Sequence, residues 1–118
     1  MTIREMFEKV NLAVKLEQRR FFNYYEDSVN ELRAIYDDKY IFKRETAYIP
    51  PTELTDTSAL LPLYEEAVID NILYKANAGD NTNENNTYKT EFIRKSRSAY
   101  LTYWHRGAKG KRLGPARW

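Results

Sequence analysis

The chain has 118 residues, 42% of them hydrophobic, which suits one domain around a single core and excludes outright disorder. Its formal net charge of +2 conceals an asymmetry: residues 1–88 carry ten Lys/Arg and sixteen Asp/Glu, a net of −6, whereas residues 89–118 carry nine Lys/Arg and only Glu91, a net of +8. The absence of cysteine excludes disulfides, thiolate nucleophiles and cysteine metal sites, and no apolar run approaches the ~20 residues needed to cross a bilayer.

The N-terminal segment reads as a helix over residues 2–15. Thr2 and Glu5 fit a capping box, and Ile3, Met6, Phe7, Val10, Ala13 and Val14 recur at three- and four-residue steps as one apolar stripe. The same start lacks the long apolar stretch of a secretion signal, so a cytoplasmic location is expected. Near Glu17-Gln18-Arg19-Arg20 the stripe stops or bends. A second helix is predicted over residues 20–36, with Phe21, Phe22, Tyr25, Val29, Leu32, Ile35 and Tyr36 on its apolar face, closed by Asp37-Asp38.

Residues 39–58 change character. Tyr40, Phe42, Tyr48 and Ile49 stand among charges in a β-favouring composition, and Pro50-Pro51 enforces extended backbone. One short hairpin or an extended arm is expected, and these four side chains are candidates for a subunit interface. The ten tyrosines of the chain, against five phenylalanines, point the same way, because an apolar ring with a polar tip suits surfaces buried on assembly.

A third helix is predicted over residues 61–77. Pro62 sits in its first turn, and Leu61, Leu63, Tyr64, Ala67, Val68, Ile69, Ile72, Leu73 and Tyr74 leave it so little polar face that it should be the most buried; Gly79 is placed to cap it. After the polar run 80–86 a fourth helix, over residues 86–106, should bury Tyr88, Phe92, Ala99 and Tyr103 and turn Arg94, Lys95 and Arg97 outward. Asn85-Asn86-Thr87 matches a glycosylation pattern, which is idle without secretion. From Gly107 onward three glycines and Pro115 oppose a core helix. The expected fold is therefore all-α: a four-helix bundle over residues 1–106, an extended loop or short hairpin between the second and third helices, and an extended basic arm over residues 107–118.

Catalysis needs a nucleophile with a base, a metal cluster or converging acids. His105 is the only histidine and stands at the junction with the tail, while the adjacent pairs Asp37-Asp38 and Glu65-Glu66 point apart and read as solvated charge. No glycine-rich phosphate loop is present, and no enzyme activity, metal or cofactor is expected. The tail carries the candidate binding residues: Arg106, Lys109, Lys111, Arg112, Leu113, Pro115, Arg117 and Trp118. Three uses fit them. They can form an arm that docks on a protein, with Leu113, Pro115 and Trp118 as anchors. They can bind nucleic acid through phosphate contacts and indole stacking. They can also be a solubilising end.

The run Phe21-Phe22-Asn23-Tyr24-Tyr25-Glu26-Asp27-Ser28-Val29-Asn30-Glu31-Leu32 resembles the second helix of the head–tail connector (adaptor, or head completion) proteins of tailed bacteriophages. Leu61-Pro62-Leu63-Tyr64-Glu65-Glu66-Ala67-Val68, then Gly79-Asp80, then Tyr88 and a final amphipathic helix, resemble that family's second half. These short, mostly structural motifs span most of residues 2–104. The resemblance implies a virion structural subunit of the phage neck, assembled in the host cytoplasm. Such subunits form a homo-oligomeric, dodecameric ring below the portal, extend the DNA channel, and offer a platform to the next neck or tail component. DNA passes through the channel without sequence-specific binding, and no membrane is involved. It also implies, by position and not by motif, that the C-terminal arm clasps the portal protein. An acidic body fits a channel wall that repels DNA. The alternative is a small nucleic-acid-binding protein that uses the basic last helix and tail.

Overall fold

A computed structural model describes residues 1–43, 47–77 and 83–110, with residues 83, 84 and 107–110 described by backbone alone. The capping box forms as the sequence suggests. Thr2 Oγ1 accepts from the Glu5 amide at 3.2 Å, Glu5 Oε1 accepts from the Thr2 amide at 3.0 Å, and α1 runs over Ile3–Ala13. Its end is set by Asn11, whose amide donates to Phe7 O at 2.9 Å while its Oδ1 accepts from the Leu16 amide at 2.9 Å. One side chain thus holds both sides of the turn, and the stripe breaks there instead of bending through.

Helix α2 covers Gln18–Ile35 and buries Phe21, Tyr25, Val29 and Leu32, together with Ser28. It stops where Tyr36 becomes extended, and a 3-10 turn follows over Asp38–Tyr40. Arg33 reaches across this turn to both carboxylate oxygens of Asp38, at 3.1 and 2.9 Å. Helix α3, Pro62–Ala76, packs against each of the other three helices, and Tyr64, Ala67, Val68 and Ile72 are fully buried. The cap expected at Gly79 lies outside the described residues. Asn77 closes the last turn, its backbone and side-chain N–H groups both donating to Leu73 O.

Helix α4 covers Asn83–Gly110, longer at both ends than its predicted span. It runs antiparallel to α3: Asn85 donates to Asn77 O at 3.4 Å, Lys95 pairs with Asp70 at 2.7 Å, and the Tyr103 hydroxyl accepts from the Leu63 amide at 3.0 Å. Asn85, Phe92, Ser96 and Ala99 are its buried residues in this stretch, whereas Tyr88 and Tyr103, expected to be buried, are half-buried. Among the described residues the chain is therefore all-helical, with no strand, and its core lies around α3.

The connection between α2 and α3 is neither a hairpin nor a free arm. Lys43 N donates to Ala59 O and Leu61 N to Ile41 O, so its two ends pair with each other around an isolated bridge between Phe42 and Leu60. Its far side is bound to the N-terminus: Ile3 N donates to Asp56 O at 2.8 Å, Arg4 N to Leu54 O at 2.9 Å, and Ser58 N to Met1 O at 3.1 Å. The bonds from Ile3 N and Arg4 N satisfy orphan donors of the first turn of α1, so the loop serves as part of its N-terminal cap.

Candidate interaction surfaces

The polar groups at the helix contacts converge on Glu31. Its carboxylate accepts from Lys75 at 2.9 Å, Lys89 at 3.2 Å and Asn71 at 3.0 Å, and Asn71 also donates to Ser28 Oγ at 2.9 Å. Burial pushes the Glu31 carboxyl up, but hydrogen bonds from Lys75 and Asn71 and the Lys89 charge outweigh it and hold the group below the ordinary carboxylate range. Asp70 goes the other way. Burial raises it and the single Lys95 partner does not fully offset that effect. Helix α4 thus has three of its cations engaged with carboxylates of this chain: Lys89 with Glu31, Lys95 with Asp70 and Arg94 with Glu91.

The two acidic pairs read as solvated charge behave differently. Asp37 and Asp38 are exposed, as expected, but Glu65 is only 2% exposed and its carboxylate receives the Met1 ammonium at 3.0 and 3.2 Å. Its position on the buried face of α3, next to the cap of α1, removes it from solvent. Glu66, one residue on, is exposed and pairs with Lys9 at 2.8 Å. His105 is exposed. Among the described residues no three acidic or histidine side chains gather as a metal-ligating group, and no helix is long and apolar enough to cross a membrane.

The four loop candidates separate. Phe42 lies inside the core of its own chain, stacked on Tyr48 with ring centroids 4.6 Å apart, and Arg33 stands over both rings at 5.7 and 5.6 Å. The Tyr48 hydroxyl donates to Glu26, and burial together with that bond pushes the phenol far above its ordinary value. The Phe42 ring is thus mostly covered by its own chain, and its backbone bridges to Leu60. Tyr40 is half-buried against Tyr100, 5.7 Å edge to face. Ile49 alone is well exposed, at 80%. Phe42, Tyr48 and Ile49 nevertheless line one cleft of about 290 Å³ together with Ala47, Ser58 and Ala59.

A chain of tyrosines links the end of α2 to α3 and α4. Tyr36 stacks on Tyr100 at 4.7 Å and leans on Tyr64 at 6.4 Å; Tyr64 stacks on Tyr103 at 5.8 Å, and Arg106 lies 5.8 Å over Tyr103. The excess of tyrosine therefore serves the joint between α2, α3 and α4 as much as the surface.

Of the eight arm residues, Arg106 is exposed and Lys109 belongs to the last turn of α4. Helix α4 thus takes up residues 107–110, the first part of the segment expected to be extended. Lys111, Arg112, Leu113, Pro115, Arg117 and Trp118 lie outside the described residues. Comparison with protein-family models, curated proteins and solved structures finds no match.

Proposed function

We propose that this chain is a structural, non-catalytic subunit of a phage neck that joins head to tail, a four-helix body whose C-terminal segment docks on the portal protein. The observation that carries the reading is the length of α4. The Tyr103 hydroxyl meets the Leu63 amide at the start of α3, and the helix continues to Gly110, about 10 Å further along its axis. In the sequence its last turn is followed by Lys111-Arg112-Leu113-Gly114-Pro115-Ala116-Arg117-Trp118. A helix that runs on past the start of α3 into a basic, aromatic-ended sequence suits a clasp on a neighbouring protein. Of the runs that resemble the adaptor family, the first falls on α2, the second on the start of α3 and Tyr88 on α4, while Gly79-Asp80 lies outside the described residues.

The nucleic-acid alternative needs free cations on a folded face. Three of those on α4 are already paired with carboxylates, which favours the docking reading. The test is truncation after Gly110. The shortened chain should keep its helical circular dichroism and melting temperature, fail to bind isolated portal rings, and leave DNA-filled heads without tails. Normal completion of heads by the truncated chain would refute the proposal. Binding to bare DNA that falls log-linearly with salt, equally with or without portal, would establish the alternative.

A further inference from the structure

Two features of the surface have no role in the fold. The first is on α4. The contacts Glu31–Lys89 and Tyr36–Tyr100 lay the C-terminal turn of α2 alongside the middle of α4. On the flank these helices turn to solvent stand Ile35, 68% exposed, Ile93, 56%, and Leu101, 52%. Ile93, Arg97 and Leu101 follow at four-residue steps, so Arg97 lies within this apolar stripe. Unlike Lys89, Arg94 and Lys95, Arg97 makes no ion pair among the described residues. An exposed cation set between exposed aliphatic residues on one helix stripe calls for a partner with a carboxylate beside an apolar side chain.

The second feature is on α1. Leu12 is the most exposed large hydrophobic residue among those described, at 88%, and Glu8, one turn before it, is exposed and makes no ion pair among the described residues. Its neighbours on the same helix are engaged: Lys9 binds Glu66, and Glu5 caps the helix with Thr2. The two features face different directions. Lys9–Glu66 places α1 beside the groove lined by Pro62, Leu63, Glu66, Arg94, Lys95 and Ser98, whereas the stripe of Ile93, Arg97 and Leu101 occupies the opposite flank of α4. No single chain can bring them together.

We infer that they meet between copies: Glu8 and Leu12 of one chain seat on the patch formed by Ile35, Ile93, Arg97 and Leu101 of the next. The charge of Glu8 complements Arg97, and Leu12 completes the aliphatic cluster around that pair. Because the two surfaces differ, the contact is head-to-tail, the type that closes into a ring when the rotation per subunit divides a full turn. This inference rests on the neck reading only in naming a second copy as the occupant, and it fixes which faces that copy presents.

Charge reversal tests it on the full-length chain. Arg97→Glu and Glu8→Arg should each weaken self-association at least about 10-fold in sedimentation velocity, and Leu12→Asp should abolish it. All three sites are exposed, so thermal melts should match the wild type. An equimolar mixture of Arg97→Glu and Glu8→Arg should reassemble, since each reversed face then finds its reversed partner. Single reversals that assemble like the wild type, or a mixture that stays dissociated, would overturn the inference and leave the neck reading standing. A wild-type chain that is monomeric at every concentration would overturn it too, and its binding to portal rings would then show whether the neck reading survives alone.

Discussion

Buried hydroxyls in this protein are not equivalent, and the difference is measurable one atom at a time. Tyr25 is fully buried with its phenol pushed up to about 12 by burial, and it hydrogen-bonds Ser58 Oγ at 3.3 Å, which in turn accepts from Leu60 N. Tyr64 is equally buried, but its hydroxyl makes no hydrogen bond to a described protein group. Tyr25→Phe should therefore cost about 1 kcal/mol, whereas Tyr64→Phe should stay within about 0.5 kcal/mol of the wild type or gain stability, as read by urea denaturation. The stacking on Tyr103 and the tilted contact with Tyr36 survive the second change and make it the cleaner probe. A loss for Tyr64→Phe as large as that for Tyr25→Phe would show that the phenol is engaged.

Glu31 and Asp70 make a second contrast at the same scale. The folded Glu31 carboxyl lies below its ordinary 4.5, so its contribution is present above that value and is lost as pH falls through the folded one. Asp70 lies above its ordinary 3.8, so its contribution is complete below that value and is lost as pH rises through the folded one. At neutral pH, Glu31→Gln should cost about 1 kcal/mol, the value for a charged hydrogen-bonded group reduced because a third of it is exposed, and Asp70→Asn should cost less. Stability followed from pH 7 into the acid range should fall less steeply for Glu31→Gln than for the wild type. Parallel curves would remove Glu31 from the acid transition.

At the scale of elements, the N-terminal helix depends on the loop that follows α2. Asp56 Oδ2 accepts from the Thr52 and Glu53 amides at 2.9 and 3.1 Å, which shapes the turn whose carbonyls receive Ile3 N and Arg4 N. Thr2→Ala removes one cap and should cost about 1 kcal/mol. Asp56→Ala should cost a similar amount and, although it is distant in sequence, should speed amide exchange at Ile3 and Arg4. Unchanged exchange there would separate the loop from the cap. For the same reason, deleting residues 43–56 should damage the fold itself and not assembly alone.

What could be read beforehand follows from range along the chain. The stripes of α1 and α2, the capping box and the all-round apolar face of α3 are local, and each gave an element within a few residues of its true bounds. Helix α4 continues to Gly110 because a glycine costs a helix only about 1 kcal/mol, less than three glycines and a proline suggest when taken together. The pairing of Phe42 with Leu60, the burial of Glu65 by the Met1 ammonium, and the network of Ser28, Asn71 and Glu31 join residues far apart in sequence. The polarity of Glu65, Ser28, Asn71 and Glu31 reads as exposure until the partner is known. The interface candidates suffer from the same effect: Phe42 carries an interface composition and lies in the core, whereas Leu12, Ile35, Ile93 and Leu101 carry a core composition and lie outside.

For the whole molecule the decisive property is the separation of charge, −6 over residues 1–88 against +8 over residues 89–118. If the basic end acts as a docking arm, its binding free energy should concentrate in a few anchors, and Trp118 and Arg112 are the best suited by residue type. Trp118→Ala should weaken binding to isolated portal rings by roughly 2 kcal/mol, about 30-fold, measured by titration calorimetry at physiological salt. Lys109→Ala and Lys111→Ala should have smaller effects, confined mainly to low salt, because exposed charges are screened within about 8 Å at physiological ionic strength. A phosphate-binding tail makes the reverse prediction: each lysine removed lowers the salt slope of DNA binding by about one, and the tryptophan matters less than the sum of the cations. Portal binding that tracks lysine number and ignores Trp118 would therefore reject the docking arm, and a tryptophan effect that persists at high salt would reject the phosphate tail.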